Sequence, residues 1–238
     1  MHRAFTGLPV LFCLSAPLQA GEDIDHLAGL ATQENFRRFS EDLAAVVSYK
    51  AVATASAMGA SGFDFGVTAN SIKLEHPELW DLACACDAPG RVLLSKVYLR
   101  FGGPEADLVL SYGTAQDSNL DVWGVEAHFG LVPEDATTPA VSLRGTFSRL
   151  SGVERLDFDS KGLELTVSKR FGAFTPYLGG GQVWIRSDPD PALFQREHFT
   201  AEKFYAGINL ALGRTNLAFE GDETGDVRSY SAKLTWRF

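Results

Sequence analysis

The sequence is short of most features that announce a particular chemistry. It has three cysteines and two methionines, and the two cysteines beyond the N-terminal region sit together as Cys84-Ala85-Cys86. Two thiols are too few for a structural zinc site even with His76 close by, so no metal is expected. A bridge across one residue is strained, and the state of Cys84 and Cys86 in an oxidising compartment, paired or free, stays open. Positive charge is in deficit: 21 Lys and Arg face 30 Asp and Glu, a formal net charge of −9. That balance argues against nucleic acid as a partner and against simple attraction to an acidic membrane surface. No stretch approaches the ~18–20 apolar residues that a spanning helix needs. If the chain enters a membrane it must do so as a closed barrel, because only helices and barrels satisfy every backbone group in lipid. Gly179-Gly180-Gly181 lie in an alternating segment with no helix after them, so a phosphate-cradling loop is missing and no cofactor is expected. A bend or close strand packing accounts for such glycines.

What is present begins with a secretory layout over residues 1–20. His2 and Arg3 supply a charged start, residues 8–14 an apolar centre, and Leu18-Gln19-Ala20 a cleavage site before Gly21. Cys13 does not read as a lipidation site, since Leu11 and Phe12 stand where small residues are needed. Over residues 21–61, Ile24, Leu27, Leu30, Phe36, Phe39, Leu43 and Val46 recur at three- and four-residue steps, which predicts one amphipathic helix or two, followed by a connector of small residues.

From Gly62 the period changes to two. Phe63, Phe65, Val67 and Ala69 alternate with Asp64, Gly66, Thr68 and Asn70. The same reading places strands near residues 92–101, 107–113, 122–131, 140–148, 162–171, 176–186, 204–212, 215–221 and 228–238. The expected fold is therefore all-β: an antiparallel transmembrane β-barrel of about ten strands over residues 62–238, preceded by a short amphipathic helix. A barrel of twelve is the alternative if residues 43–52 are strand. The connections read as alternately long and short, as the two ends of an outer-membrane barrel require. A periplasmic cap is the expected position of the helix, because ten strands leave little room inside.

The last strand carries Tyr230, Ala232, Leu234, Trp236 and Phe238 on one face and Ser231, Lys233, Thr235 and Arg237 on the other. A terminal Phe preceded by alternating apolar residues resembles the signal by which the bacterial barrel-assembly machinery recognises outer-membrane proteins. That resemblance implies outer-membrane lipid and the assembly machinery as partners, with Tyr230, Leu234, Trp236 and Phe238 as the signal. Leu143-Arg144-Gly145, Leu150-Ser151-Gly152-Val153, Ser168-Lys169 and the run Thr175-Pro176-Tyr177-Leu178 before the three glycines resemble an uncharacterised group of proteobacterial outer-membrane proteins, and that resemblance implies no activity.

With apolar faces toward lipid, the opposite faces define a lumen lined by Asp64, Lys96, Arg100, Glu126, His128, Arg144, Glu164, Arg170, Gln182, Arg186, Asn209, Glu220, Lys233 and Arg237. Trp184 falls on the same side. A network of ion pairs that holds the barrel shape is the plainest expectation for such an interior. Glu126 and His128, two apart on one strand, are the weak candidates for an acid/base pair, with Ser142 and Ser148 lumenal by facing. The sequence shows neither the His-x-Ser arrangement of lipid A deacylase barrels nor the acidic and His-Asp pairs of the ten-stranded omptin proteases. The expected role is structural or a porin-like passage for a small solute. The alternatives are a lipid-modifying or proteolytic outer-membrane enzyme, or a barrel that binds a ligand through its outer loops, where Trp80 stands.

Overall fold

The computed structural model of the chain describes residues 23–59, 62–103 and 105–238; the secretory segment expected over residues 1–20 lies outside them. Ten strands follow one another as β1 (Phe63–Lys73), β2 (Arg91–Gly102), β3 (Ala106–Ala115), β4 (Asp121–Val132), β5 (Ala140–Ser151), β6 (Leu156–Ser168), β7 (Phe174–Pro189), β8 (Glu197–Leu212), β9 (Thr215–Thr224) and β10 (Val227–Arg237). Each pairs antiparallel with its neighbours in sequence, and β1 pairs with β10, so the sheet closes without an edge. Closure satisfies every ladder hydrogen bond within the chain, which is the condition for burying a sheet in hydrocarbon.

The outer surface shows what surrounds the barrel. Phe65 is 44% exposed, Leu163 47%, Phe219 46% and Trp236 52%, and similar residues continue round the wall from strand to strand. An apolar belt of that extent on a water-soluble protein would be a large exposed patch; on a closed barrel it is the lipid contact. Tyr230, Leu234, Trp236 and Phe238 all belong to this outer face. Phe238 N–H donates to Phe63 O at 2.9 Å, which ties the last residue to the first strand.

Two helices lie at one end of the barrel, called here the loop end. Helix α1 (Gln33–Val47) follows a short 3-10 turn, Leu27–Leu30, and starts at Thr32, whose Oγ1 accepts from Asn35 N–H at 3.2 Å. Such an N-cap is worth about 1 kcal/mol. Helix α2 (Pro77–Cys84) lies in the connection between β1 and β2, and Cys84 and Cys86 just beyond it are joined as a disulfide. At the opposite turn end, residues 133–139 fold around Asp135, whose carboxylate accepts from Thr138 and Thr137 N–H at 2.7 Å; those donors hold its pKa down to about 2.

Several expectations are corrected. Residues 43–52 do not add strands: Leu43 to Val47 complete α1, and the chain then continues extended without joining the sheet. The helix is not a periplasmic cap. It sits at the loop end, packed inside β5, β6, β9 and β10, with every residue from Asp42 to Val47 buried. Room exists because the inward faces of this half are apolar or small: Val92, Leu94, Val122, Leu150, Phe158, Val183, Ile185 and Val227 share one core with the helix. The sorting of connections by length also fades, because β7, β8 and β9 run further than their alternation suggested. Lys203 and Asp222, read as loop residues, are strand residues facing inward.

Candidate functional site in the barrel lumen

From Ser48 the chain leaves the helix and passes down the lumen to the turn end, where Gly62 O accepts from Gly102 N–H at 2.7 Å and β1 begins. Residues 48–59 thus form a strap through the barrel. An extended segment has no backbone partners of its own, and unpaired amides in a dry interior are costly. The barrel wall supplies the partners. Lys203 Nζ donates to Tyr49 O, Tyr98 Oη to Lys50 O at 2.7 Å, Lys233 Nζ to Ala51 O at 2.8 Å and Arg144 Nη2 to Ala53 O at 3.3 Å. Further down, Ser168 Oγ accepts from Ala55 N–H at 3.1 Å, Arg100 Nη2 donates to Ser56 O at 3.3 Å, and Asp107 accepts from Met58 N–H. Four basic residues of the wall, Lys203, Lys233, Arg144 and Arg100, are spent on strap carbonyls.

Charge is balanced around this line of contacts. Lys50 of the strap places Nζ 3.0 and 2.8 Å from the two carboxylate oxygens of Asp222, and neither side chain is exposed at all. Ser229 Oγ donates to the same carboxylate at 2.5 Å. Lys203 pairs with Glu164 at 2.9 Å. Arg144 Nε lies 3.0 Å from Glu126 Oε1, off the hydrogen-bond direction, and Nη1 lies 3.7 Å from Glu164. Breaking such a pair by removing one partner leaves a buried charge, at a cost of about 3–5 kcal/mol.

Aromatic rings pack where the wall has no side chain. The Tyr49 ring lies against Gly124 of β4 and stands edge-on to Tyr98 at 6.4 Å. Any side chain at Gly124 would enter the Tyr49 ring. We expect Gly124→Val to lower the unfolding free energy by about 1–3 kcal/mol, the usual cost of overpacking, measured as a shift of the urea midpoint on folded-versus-unfolded gel migration. An unchanged midpoint would mean that Tyr49 does not occupy this place. Elsewhere Tyr177 lies over Gly207 and Tyr205 over Gly179, each pair directly opposite in the β7–β8 ladder. The glycine run therefore makes room for the lumenal Tyr205 ring at Gly179 and for the close strand approach at Gly181.

Most residues read as lumenal do face the interior: Asp64, Lys96, Glu126, His128, Arg144, Glu164, Glu220 and Lys233 are buried there, and Arg100 and Asn209 are partly so. Arg237 shares the inward register of β10 but is exposed at the turn-end mouth. Five placements are corrected. Gln182, Trp184 and Arg186 point outward, and Arg186 pairs on the outer face with Asp188 at 2.8 Å. The reason is the helix: beside α1 the interior is apolar, so Val183 and Ile185 turn inward and the polar residues turn out. Arg170 lies exposed in the turn-end connection after β6, where its N–H donates to Glu134. Trp80, rather than reaching outward from a loop, is buried against Phe39 at 5.1 Å between ring centres.

Glu126 and His128 both face inward but serve different partners. Glu126 pairs with Arg144, while His128 Nδ1 stands 3.1 Å from Asp107 Oδ2, which also pairs with Arg100. No hydrogen bond joins His128 to Ser142 or Ser148, whose hydroxyls lack partners among the described residues. Base and nucleophile are not connected as acyl transfer requires. Lys50, Asp107, Lys203 and Asp222 were missed by the sequence reading. Carrying the alternation of β8 back from Tyr205 and that of β9 on from Glu220 would have found two of them.

The strap leaves little free space. Between Val52, Ala53, Thr54 and the wall the remaining cavity is about 50 Å³, room for a few waters. A wider vestibule of about 580 Å³ opens at the turn end, below Ala55 and Ala57.

No protein-family profile matches the sequence, and neither does any curated protein. Among solved structures, an outer-membrane channel from Pseudomonas putida F1 is similar at 10% identity and a TM-score of 0.47, over 75% of this chain and 96% of that one. The β-domain of the Bordetella autotransporter BrkA gives 14% and 0.46, over 75% and 100%. The Escherichia coli outer-membrane protease OmpT gives 9% and 0.37, over 74% and 96%. These similarities bring no activity with them. Closed sheet, apolar belt and filled interior together describe an outer-membrane β-barrel occupied by its own N-terminal segment.

Proposed function

We propose that the protein is a structural, self-plugged barrel of the Gram-negative outer membrane, closed to solutes while the strap is seated. The observation that carries this reading is the run of wall-to-strap hydrogen bonds from Tyr49 to Met58, which fills the space a solute would use. Porin-like passage belongs to a second state, in which the strap and helix α1 have both left the lumen. The secretory segment over residues 1–20 delivers the chain to the envelope, and the assembly machinery reads the outward row Tyr230, Leu234, Trp236 and Phe238. Lumenal Glu126 and His128 act here as structural partners of Arg144 and Asp107.

Planar-bilayer recording of the full mature chain tests the reading. A silent membrane, or rare brief openings, is the expected record. Steady open-channel current from the unaltered protein would overturn it.

A further inference from the structure

One cavity stands apart from the lumen. It lies at the loop end, measures about 310 Å³, and is built from Ile24, the β1–β2 connection with α2, the tip of β2 and the β3–β4 connection. That volume is near the lower end of small-molecule sites, about 300–1,000 Å³, and suits one slender ligand. Leu74, Trp80, Val92 and Leu120 give it an apolar wall.

Three features narrow the ligand. Leu93 lines the cavity and is 48% exposed as part of the lipid-facing belt, so the opening lies at the border between barrel wall and membrane. Trp80, only 4% exposed, contributes a ring to the wall and makes the inner part of the cavity fit for an apolar chain. Arg91, on the exposed lining, donates to Ser71 Oγ at 3.3 Å and has no carboxylate partner among the described residues. Asp117 shares the lining and disfavours a second negative charge.

The geometry points to a site for a single-chain monoanionic amphiphile of the medium-chain fatty-acid class. The chain lies against Trp80, Val92 and Leu120, and the carboxylate takes Arg91. A phosphate head carrying two charges is a poorer fit beside Asp117. The site is independent of whether the strap conducts or closes, since none of its lining residues belongs to the strap.

Binding of radiolabelled decanoate to the mature protein in zwitterionic lipid nanodiscs, with empty nanodiscs subtracted, tests the site. We expect saturable binding, weakened about tenfold by Arg91→Gln, which removes one charge-assisted contact. Ala88→Phe fills the cavity and should abolish binding; both variants should keep the heat-modifiable gel migration of the folded barrel. Uncharged decanol should bind at least about tenfold more weakly than decanoate. Retention no greater than in empty nanodiscs, as would follow if nanodisc lipid or the chain's own N-terminal residues held the cavity, overturns the proposal. So does saturable binding that neither variant alters, or decanol binding as tightly as decanoate.

Discussion

Replacing Lys50 with Ala should turn a silent barrel into one that conducts. Lys50 is the charged strap side chain that meets a buried carboxylate, and its partner Asp222 belongs to the wall. With the strap seated, Lys50→Ala strands that carboxylate in a dry interior, at a cost of about 3–5 kcal/mol. With the strap displaced, lumenal water solvates Asp222 and the cost vanishes. The substitution therefore weighs on the plugged state alone. Even the lower figure shifts the seating equilibrium more than about a hundredfold toward the open state. Openings should become frequent in planar bilayers, and a thiol introduced at Ala53 should become reactive toward a polar maleimide. Removing both partners, Lys50→Ala with Asp222→Ala, should restore much of the silence, because no charge is then left unpaired. A single variant as quiet and unreactive as the unaltered protein would show that this pair does not hold the strap.

The second large effect falls on the barrel itself. Arg144 is 1% exposed and serves Glu126, Glu164, the Tyr205 hydroxyl and the Ala53 carbonyl at once. Arg144→Ala leaves the buried Glu126 carboxylate without its cation, while Glu164 keeps Lys203, and we expect the unfolding free energy to fall by about 3–5 kcal/mol. The readout is the urea midpoint of the heat-modifiable species. Arg144→Lys should recover only part of the loss, because a point charge cannot reach several acceptors as the planar guanidinium does. Combining Arg144→Met with Glu126→Gln should recover more, because Glu164 keeps its Lys203 partner. A midpoint for Arg144→Ala within about 0.5 kcal/mol of the unaltered protein, the size of an ordinary surface change, would contradict the network described here.

The barrel was legible in the sequence because a strand writes its two faces into alternate residues. Phe65, Val67 and Ala69 against Asp64, Thr68 and Asn70 already show β1 with its correct facing, and the terminal row to Phe238 shows β10. The rule that made this work, apolar toward lipid, is also what misplaced Gln182, Trp184 and Arg186. It assumes a polar interior along the whole strand, and α1 makes half of the interior apolar. Periodicity within a strand carries no information about what fills the barrel. The helix itself was visible in its three- and four-residue spacing, but its depth was not. That depth depends on small or apolar inward residues contributed by many strands, among them Val122, Leu150, Ile185 and Val227. The strap was hidden for another reason. Residues such as Ala51, Ala53 and Ser56 are held through backbone atoms, and a backbone carbonyl looks the same in every sequence. Only Lys50 and Tyr49 mark the segment, one by a buried charge and the other by a ring set against Gly124.

The path of the N-terminal segment is the central claim, and a distance measurement tests it most directly. Nitroxide labels can be placed on exposed positions: Arg38 of α1, Gln116 at the loop end and Ala136 at the turn end. Native Cys84 and Cys86 are bridged and leave the introduced thiols to react. Strands of this length and tilt separate the two ends by on the order of 30 Å. Pulsed electron resonance on the folded barrel should give a short distance from Arg38 to Gln116 and a distance near the full barrel height from Arg38 to Ala136. The reverse order, with Arg38 close to Ala136, would put the helix at the periplasmic mouth and contradict a strap that runs through the lumen.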